Sequence, residues 1–252
     1  MKQSAWLAPT ASIAVVILLW EVLEHSLASP HPAIPAPSAI AAAVLANSRV
    51  LWLSLQPTVF EAVCGFALGS SAGVLLAIAL FAGRSAESAL YKVVVTIHSV
   101  PLLAIAPLLV IWMGIGSSPV ITLAALACFF PTTVNVHTGL QAVGAADLDL
   151  MQSINANAWA VLVHLRLPAA LPYLLSAMKI GAPSAVLGTT IGEWLGSHGL
   201  GYVMFSSMVN FQPPLLWAAM LLSALLSLTG FAVFAVLERA LVSWHESLRT
   251  TE

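Results

Sequence analysis

A chain of 252 residues that is 60% hydrophobic and only 7% charged, with mean hydropathy +0.98, is not built as a soluble domain, in which about a quarter of residues carry charge. The composition is that of an integral membrane protein. A net charge of −2 without any basic tail or stripe leaves nothing to neutralise a phosphate backbone, so nucleic acid is excluded as a partner.

In chain order, six apolar stretches near 5–27, 55–82, 88–114, 118–140, 169–195 and 213–240 each supply the roughly 20 residues that a bilayer crossing needs. This predicts an all-α polytopic membrane protein with about six transmembrane helices. The first stretch follows Lys2 and resembles a leader, but Glu21 and Glu24 close it and "SLASP" is a poor cleavage site, so an uncleaved helix is expected. Trp6, Trp20 and Trp244 fall near span ends, as interfacial aromatic belts do. The rigid "PHPAIPAPS" (30–38) places Ser38 to cap a short helix, "AIAAAVLANS".

Gly65, Gly69 and Gly73 form G-x-x-x-G-x-x-x-G on the second span, a pattern that lets another helix approach closely. Gly69-Ser70-Ser71-Ala72-Gly73 also matches the G-x-S-x-G of serine hydrolases, but that motif needs a strand-turn-helix setting and here lies mid-helix. Cys64 and Cys128 sit in apolar runs and read as small hydrophobes rather than a disulfide or metal ligands. Pro101 and Pro107 interrupt the third span, Pro172 and Pro183 the fifth; spans tolerate such breaks beside neighbours or a cavity, which marks these two helices as pathway walls.

Ionisable groups at membrane depth are expensive and usually face a cavity or a partner. Glu61, Lys179 and Glu193 are of this kind. Lys179 is expected to snorkel to the interface, whereas Glu193, beside Trp194 and ahead of the glycine-rich "GSHGLG" (196–201), is a candidate gate or clamp. His98, Asn135 and His137 lie near proline-disturbed segments and are candidates for the translocation path or for interhelical hydrogen bonds. The histidines are too scattered for a metal site, and H-E-x-x-H does not occur.

Lys2, Arg84, Arg166, Arg239 and Arg249 fall on one side of this topology and Arg49 alone on the other, which places both termini in the cytoplasm. The largest cytoplasmic connection is 141–168. Within it Leu148, Met151, Ile154, Ala158, Leu162 and Leu165 recur at helical spacing, which predicts an amphipathic helix pair. Asn155 and Asn157 interrupt it; asparagine tolerates positive φ, so a tight turn is expected there. Leu167-Pro168 should end the segment and start the fifth span. Interfacial anchors are rich in Lys and Arg and this segment has Arg166 alone, so a protein partner suits its apolar face better than lipid.

These residues resemble the permease subunits of binding-protein-dependent ABC importers, whose cytoplasmic loop carries E-A-A, three residues, G, nine residues and I-x-L-P. Asp149-Leu150-Met151 stand at E-A-A, Asn155 at the glycine and Leu165-Arg166-Leu167-Pro168 at I-x-L-P; the spacing is kept while several letters differ. "PAPSAI" (35–40), "PLLAIAPLLVIWMGIGSSP" (101–119), "CFFPTTVNVHTGL" (128–140), "LPAALPYLLSAMKIG" (167–181) and "IGEWLGSHGLGYVM" (191–204) resemble, in order and spacing, the sulfonate, nitrate, taurine and pyrimidine-precursor branch.

The resemblance implies one transmembrane permease domain over 1–252 with the type I importer fold, in a bacterial cytoplasmic (inner) membrane, and 141–168 as its coupling loop. It implies a second permease copy, a cytoplasmic ATPase dimer that binds ATP and Mg, and a periplasmic or lipid-anchored substrate-binding protein, with membrane lipid around them. This chain would be no enzyme and hold no cofactor, in keeping with the lack of a Gly-Lys dipeptide and hence of a phosphate-binding loop. "GEW" (192–194) and "CFFP" (128–131) are most similar to permeases for thiamine-pyrimidine precursors and related heterocycles; sulfonate, taurine and nitrate are the alternatives. An intramembrane hydrolase with Ser71 and His98 or His137, or a secondary transporter, would leave the docking loop unexplained.

Overall fold

The computed structural model describes residues 4–27, 34–82 and 100–241, and every regular element among them is helical. In chain order these are α1 (Ser4–Leu27), α2 (Pro37–Ala46), α3 (Ser48–Ala82), α4 (Leu102–Met113), α5 (Ser117–Gln141), α6 (Ala145–Ser153) and α7 (Ala158–Val161). A π-helical turn (Leu162–Arg166), α8 (Leu167–Glu193), α9 (Gly199–Val209) and α10 (Pro213–Leu241) complete them. Four stretches are long and apolar enough to cross a bilayer: Ser48–Phe81, Ser117–Gln141, Ala158–Glu193 and Pro213–Leu241. The first half of the expected third span, with His98, lies outside the described residues, as do Lys2, Arg84, Trp244 and Arg249.

α5 forms the centre, packed between α3 and α8. Small residues bring it there. A Cβ added to Gly65 would stand 2.3 Å from the Ala124 Cβ, one on Gly69 would stand 2.1 Å from the Ala125 carbonyl oxygen, and one on Gly73 2.8 Å from that of Phe129. The expected glycine stripe is therefore a helix-crossing surface, and Cys128 fills the same seam, fully buried with a free thiol. A second apolar cluster lies at one end of the bundle, where α2 (Ile40), the start of α3 (Leu51), α9 (Leu200, Val203, Met204) and the start of α10 (Ala218, Ala219) meet. At 11 residues, or about 16 Å, α9 is too short to cross and serves as part of this cap.

Three local expectations need correction. The second span starts earlier than position 55, at Ser48, because Pro57 is carried inside a continuous helix. Ser38 does not cap α2: Ala36 holds the cap position without a side-chain bond. Instead Glu21 reaches across from α1, and its carboxylate accepts from the Ser38 N–H at 3.0 Å and the Ser38 hydroxyl at 2.5 Å. The cap thus comes from an acidic side chain at the helix N-terminus, where the exposed N–H groups favour negative charge.

Leu167-Pro168, thirdly, does not break the chain. Helix runs without interruption from Ala158 to Glu193, 36 residues or about 54 Å. Proline in an α-helix collides with the carbonyl four residues before it. The π turn widens the spiral just ahead of Pro168, with the Leu167 N–H bonding back five residues to Leu162, and so makes room for the ring.

Candidate functional site

The loop end of the bundle is built around Asn155. α6 closes at Ile154, and Asn155 follows at φ +53°, the left-handed conformation expected of it. The neighbouring Asn157 then caps α7, its side-chain oxygen accepting from the Ala160 N–H at 2.8 Å. The apolar face differs from the expected one. Leu148, Met151, Leu162 and Leu165 are half-buried against their own chain. The residues left outward are Leu150 (64% exposed), Ile154 (67%) and Trp159 (71%). Asp149 is exposed too, as are Leu167 and Pro168. Trp159 escaped the sequence pattern because it falls off the helical stripe that Leu148 and Met151 define.

Arg166 ties this loop to the bundle. Its guanidinium donates to the Leu140 carbonyl at 2.6 Å, at the end of α5, and lies 4.4 Å over the ring of Phe81, at the end of α3. An arginine satisfies a helix-terminal carbonyl and stacks on an aromatic face at once. The positive charge counted above for topology is therefore also a structural staple.

About 39 Å along α8, at its far end, Glu193 is fully buried. The Thr58 hydroxyl of α3 donates to Glu193 Oε1 at 2.6 Å, and the Gly201 N–H of α9 donates to Oε2 at 2.7 Å. Thr58 in turn accepts from the Leu200 N–H at 2.9 Å. One carboxyl group thus holds three helices together. Glu61, one turn beyond Thr58 and also fully buried, meets His198 Nε2 through Oε1 at 2.8 Å, in the same turn that carries Gly199. Gly199 has φ +89°, and a Cβ there would fall 1.9 Å from Glu193 Oε1, so the turn needs glycine both for its backbone and for its closeness. Trp194 stands next to this clamp with its ring 6.5 Å from that of Phe205.

The remaining candidates are scattered. Asn135 bonds within its own helix, to the Pro131 carbonyl at 2.8 Å, and His137 is buried in α5 one turn from the loop end. Neither meets the Glu193 cluster in the hydrogen bonds of the described residues. Ser71 is exposed in the middle of α3, without the sharp turn a nucleophile elbow requires. Lys179 does not snorkel; it pairs inside the bundle with Glu238 of α10, and Ser176 shares that carboxylate at 3.3 Å.

A bundle with a short helix-turn-helix loop at one end of a through-going helix and a buried polar cluster at the other belongs, by fold, with the type I permeases of ABC importers. It matches the crystal structure of an amino acid ABC transporter with TM-score 0.65 at 15% identity, over 79% of this chain and 97% of that one. The chain belongs to the family described as binding-protein-dependent transport system inner membrane component, which matches residues 69–243. It is therefore a multi-pass inner-membrane component of an importer. A probable ABC transporter permease of Haemophilus influenzae is 34% identical over 88% of this chain and 91% of its own length. The formylaminopyrimidine transport permease ThiX of Halalkalibacterium halodurans is 30% identical over 95% of this chain and 96% of its own. Further relatives, 26 to 29% identical, are named for riboflavin transport in Chloroflexus aurantiacus, aliphatic sulfonates in Bacillus subtilis and taurine in Escherichia coli.

Proposed function

We infer that two copies of this chain form the pathway of an ATP-driven importer, in which loop 141–168 seats on a separate ATPase and the Glu193 clamp closes the outer mouth. The observation that carries the reading is the continuous helix Ala158–Glu193. It joins a loop with exposed Leu150, Ile154 and Trp159 to a buried knot of polar groups at the opposite end. A rigid element of that length moves both ends together, as alternation between two packed states requires. ATP and Mg are bound by the ATPase, and an external binding protein delivers the solute.

The substrate class best supported is a small heterocycle of the thiamine-pyrimidine-precursor kind, on the likeness of "GEW" and "CFFP" and the name of the Halalkalibacterium relative. Sulfonate or taurine is the second reading, supported by the relatives so named. Purification from mild detergent should yield an ATPase and two permease copies, and the isolated chain alone should not bind ATP. A thermal-shift screen of the co-purifying binding protein against aminopyrimidines, riboflavin, taurine, alkanesulfonates and nitrate then decides the solute. A single permease copy paired with a different permease would overturn the homodimer.

A further inference from the structure

Glu61 and Glu193 are both fully buried and converge on one turn, Glu61 meeting His198 while the Glu193 carboxyl group lies against the adjoining Gly199. The donors around them can be counted. Glu193 accepts from the Thr58 hydroxyl and the Gly201 N–H, and Glu61 Oε1 is met by His198 Nε2. Glu61 Oε2 is buried with no hydrogen-bond partner. The cluster is faced from α3 by Thr58 and Glu61, from α8 by Glu193, from the turn after it by His198, and from α9 by backbone N–H groups. Among the described residues no Lys or Arg pairs with either carboxyl group. Those donors are engaged, yet among the described residues one carboxylate oxygen remains open close to another buried carboxyl group. Two carboxylates sharing a dry site repel, and buried acceptors almost always find a donor. The donor that fits between two carboxyl groups is a hydrogen ion.

We propose that Glu61 and Glu193 bind one proton between them as a carboxyl–carboxylate hydrogen bond, and that His198 is the port through which it exchanges with water. The imidazole is suited to this, since its side chain is 32% exposed while that of Glu61 is sealed. The step is proton transfer alone: one hydrogen ion passes from water by way of the imidazole to the pair, and nothing is oxidised or reduced. When the proton leaves, two like charges face each other between α3 and α8, the helices that Thr58 and Glu193 join. Proton occupancy thus sets whether this end of the bundle is held together or pushed apart. This goes beyond the importer reading, because the pair needs neither nucleotide nor solute to take up its proton.

Infrared pH-jump spectroscopy on the full chain, purified in lipid nanodiscs, tests it. The wild type should show a protonated carboxyl stretch at neutral pH that disappears at alkaline pH. The band should be lost in Glu61→Gln, whose amide can donate where the proton did, and in Glu193→Gln. In His198→Phe it should persist but exchange with heavy water at least tenfold more slowly. No protonated carboxyl in the wild type at neutral pH, a result that needs no variant to fold, would overturn the proposal. So would a band unchanged in both glutamine variants, displacement of the band by added sodium or calcium, or unaltered exchange in His198→Phe. Failure to recover an ATPase would count against the importer reading and leave the spectrum untouched.

Discussion

Lys179 of α8 and Glu238 of α10 close an ion pair of 2.5 Å, with 22% and 16% of their side chains exposed. The two residues stand 59 positions apart, and the pair, with Ser176 on the same carboxylate, links the helices that carry them. Removing one partner of a sequestered pair leaves an uncompensated charge, whereas replacing both with apolar residues is often neutral. Lys179→Met should therefore lower the stability of the detergent-solubilised protein by up to about 3 kcal/mol. The double variant Lys179→Met, Glu238→Met should recover most of it. Thermal unfolding followed by tryptophan fluorescence checks both, and equal loss in the single and double variants would show that the pair does not act as one unit.

Gly199→Ala tests the clamp through its backbone. The new methyl group would have to share space with the Glu193 carboxylate, at a φ that costs a non-glycine residue about 1–2 kcal/mol before any clash. Reduced yield and a lower unfolding temperature are expected. Gly144→Ala, at φ −65° with its nearest contact at 3.5 Å, is the matched control and should behave as wild type.

Glu193→Gln keeps volume and shape but sets an amide NH2 against either the Thr58 hydroxyl or the Gly201 N–H. One buried hydrogen bond is lost, worth about 1–3 kcal/mol when the partner stays unsatisfied. Solute-stimulated ATP hydrolysis and uptake in vesicles should fall several-fold while ATPase co-purification stays normal. Wild-type uptake would remove Glu193 from the gate.

Asn155 carries the sharpest test of the loop. At φ +53° glycine is unstrained and asparagine nearly so, but a β-branched residue is an outlier. Asn155→Gly should be silent. Asn155→Val should leave membrane level and dimerisation intact while reducing ATPase recruitment or separating hydrolysis from uptake. Both are read by co-purification and vesicle uptake, and full coupling in the valine variant would dismiss the turn as a functional element.

What could be read in advance divides along physical lines. Spans announced themselves because about 20 apolar residues are needed to cross a bilayer, and the Asn155 turn because few residue types accept its backbone. Contacts between distant positions did not. Thr58 and Glu193 are 135 residues apart, Glu61 and His198 137, and nothing local to Thr58 or His198 distinguishes them from ordinary polar residues in a span or a loop. The cap on α2 is hidden for the same reason, since Glu21, 17 positions before Ser38, supplies it. Lys179 was expected to reach for the interface because its anion lies on another helix. Pro168 reads as a boundary in the sequence because the residue pattern does not reveal a π turn.

That turn has a geometric consequence. A π turn holds one residue more than the α-helical turn it replaces, and one residue corresponds to about 100° of rotation about the axis. The five residues Leu162–Arg166 therefore fix the azimuth of Trp159 and Ile154 relative to Glu193 at the far end of the same rod. Deleting or inserting one residue there would leave every span intact and every loop residue present, yet aim the exposed tryptophan at a different quarter of the compass.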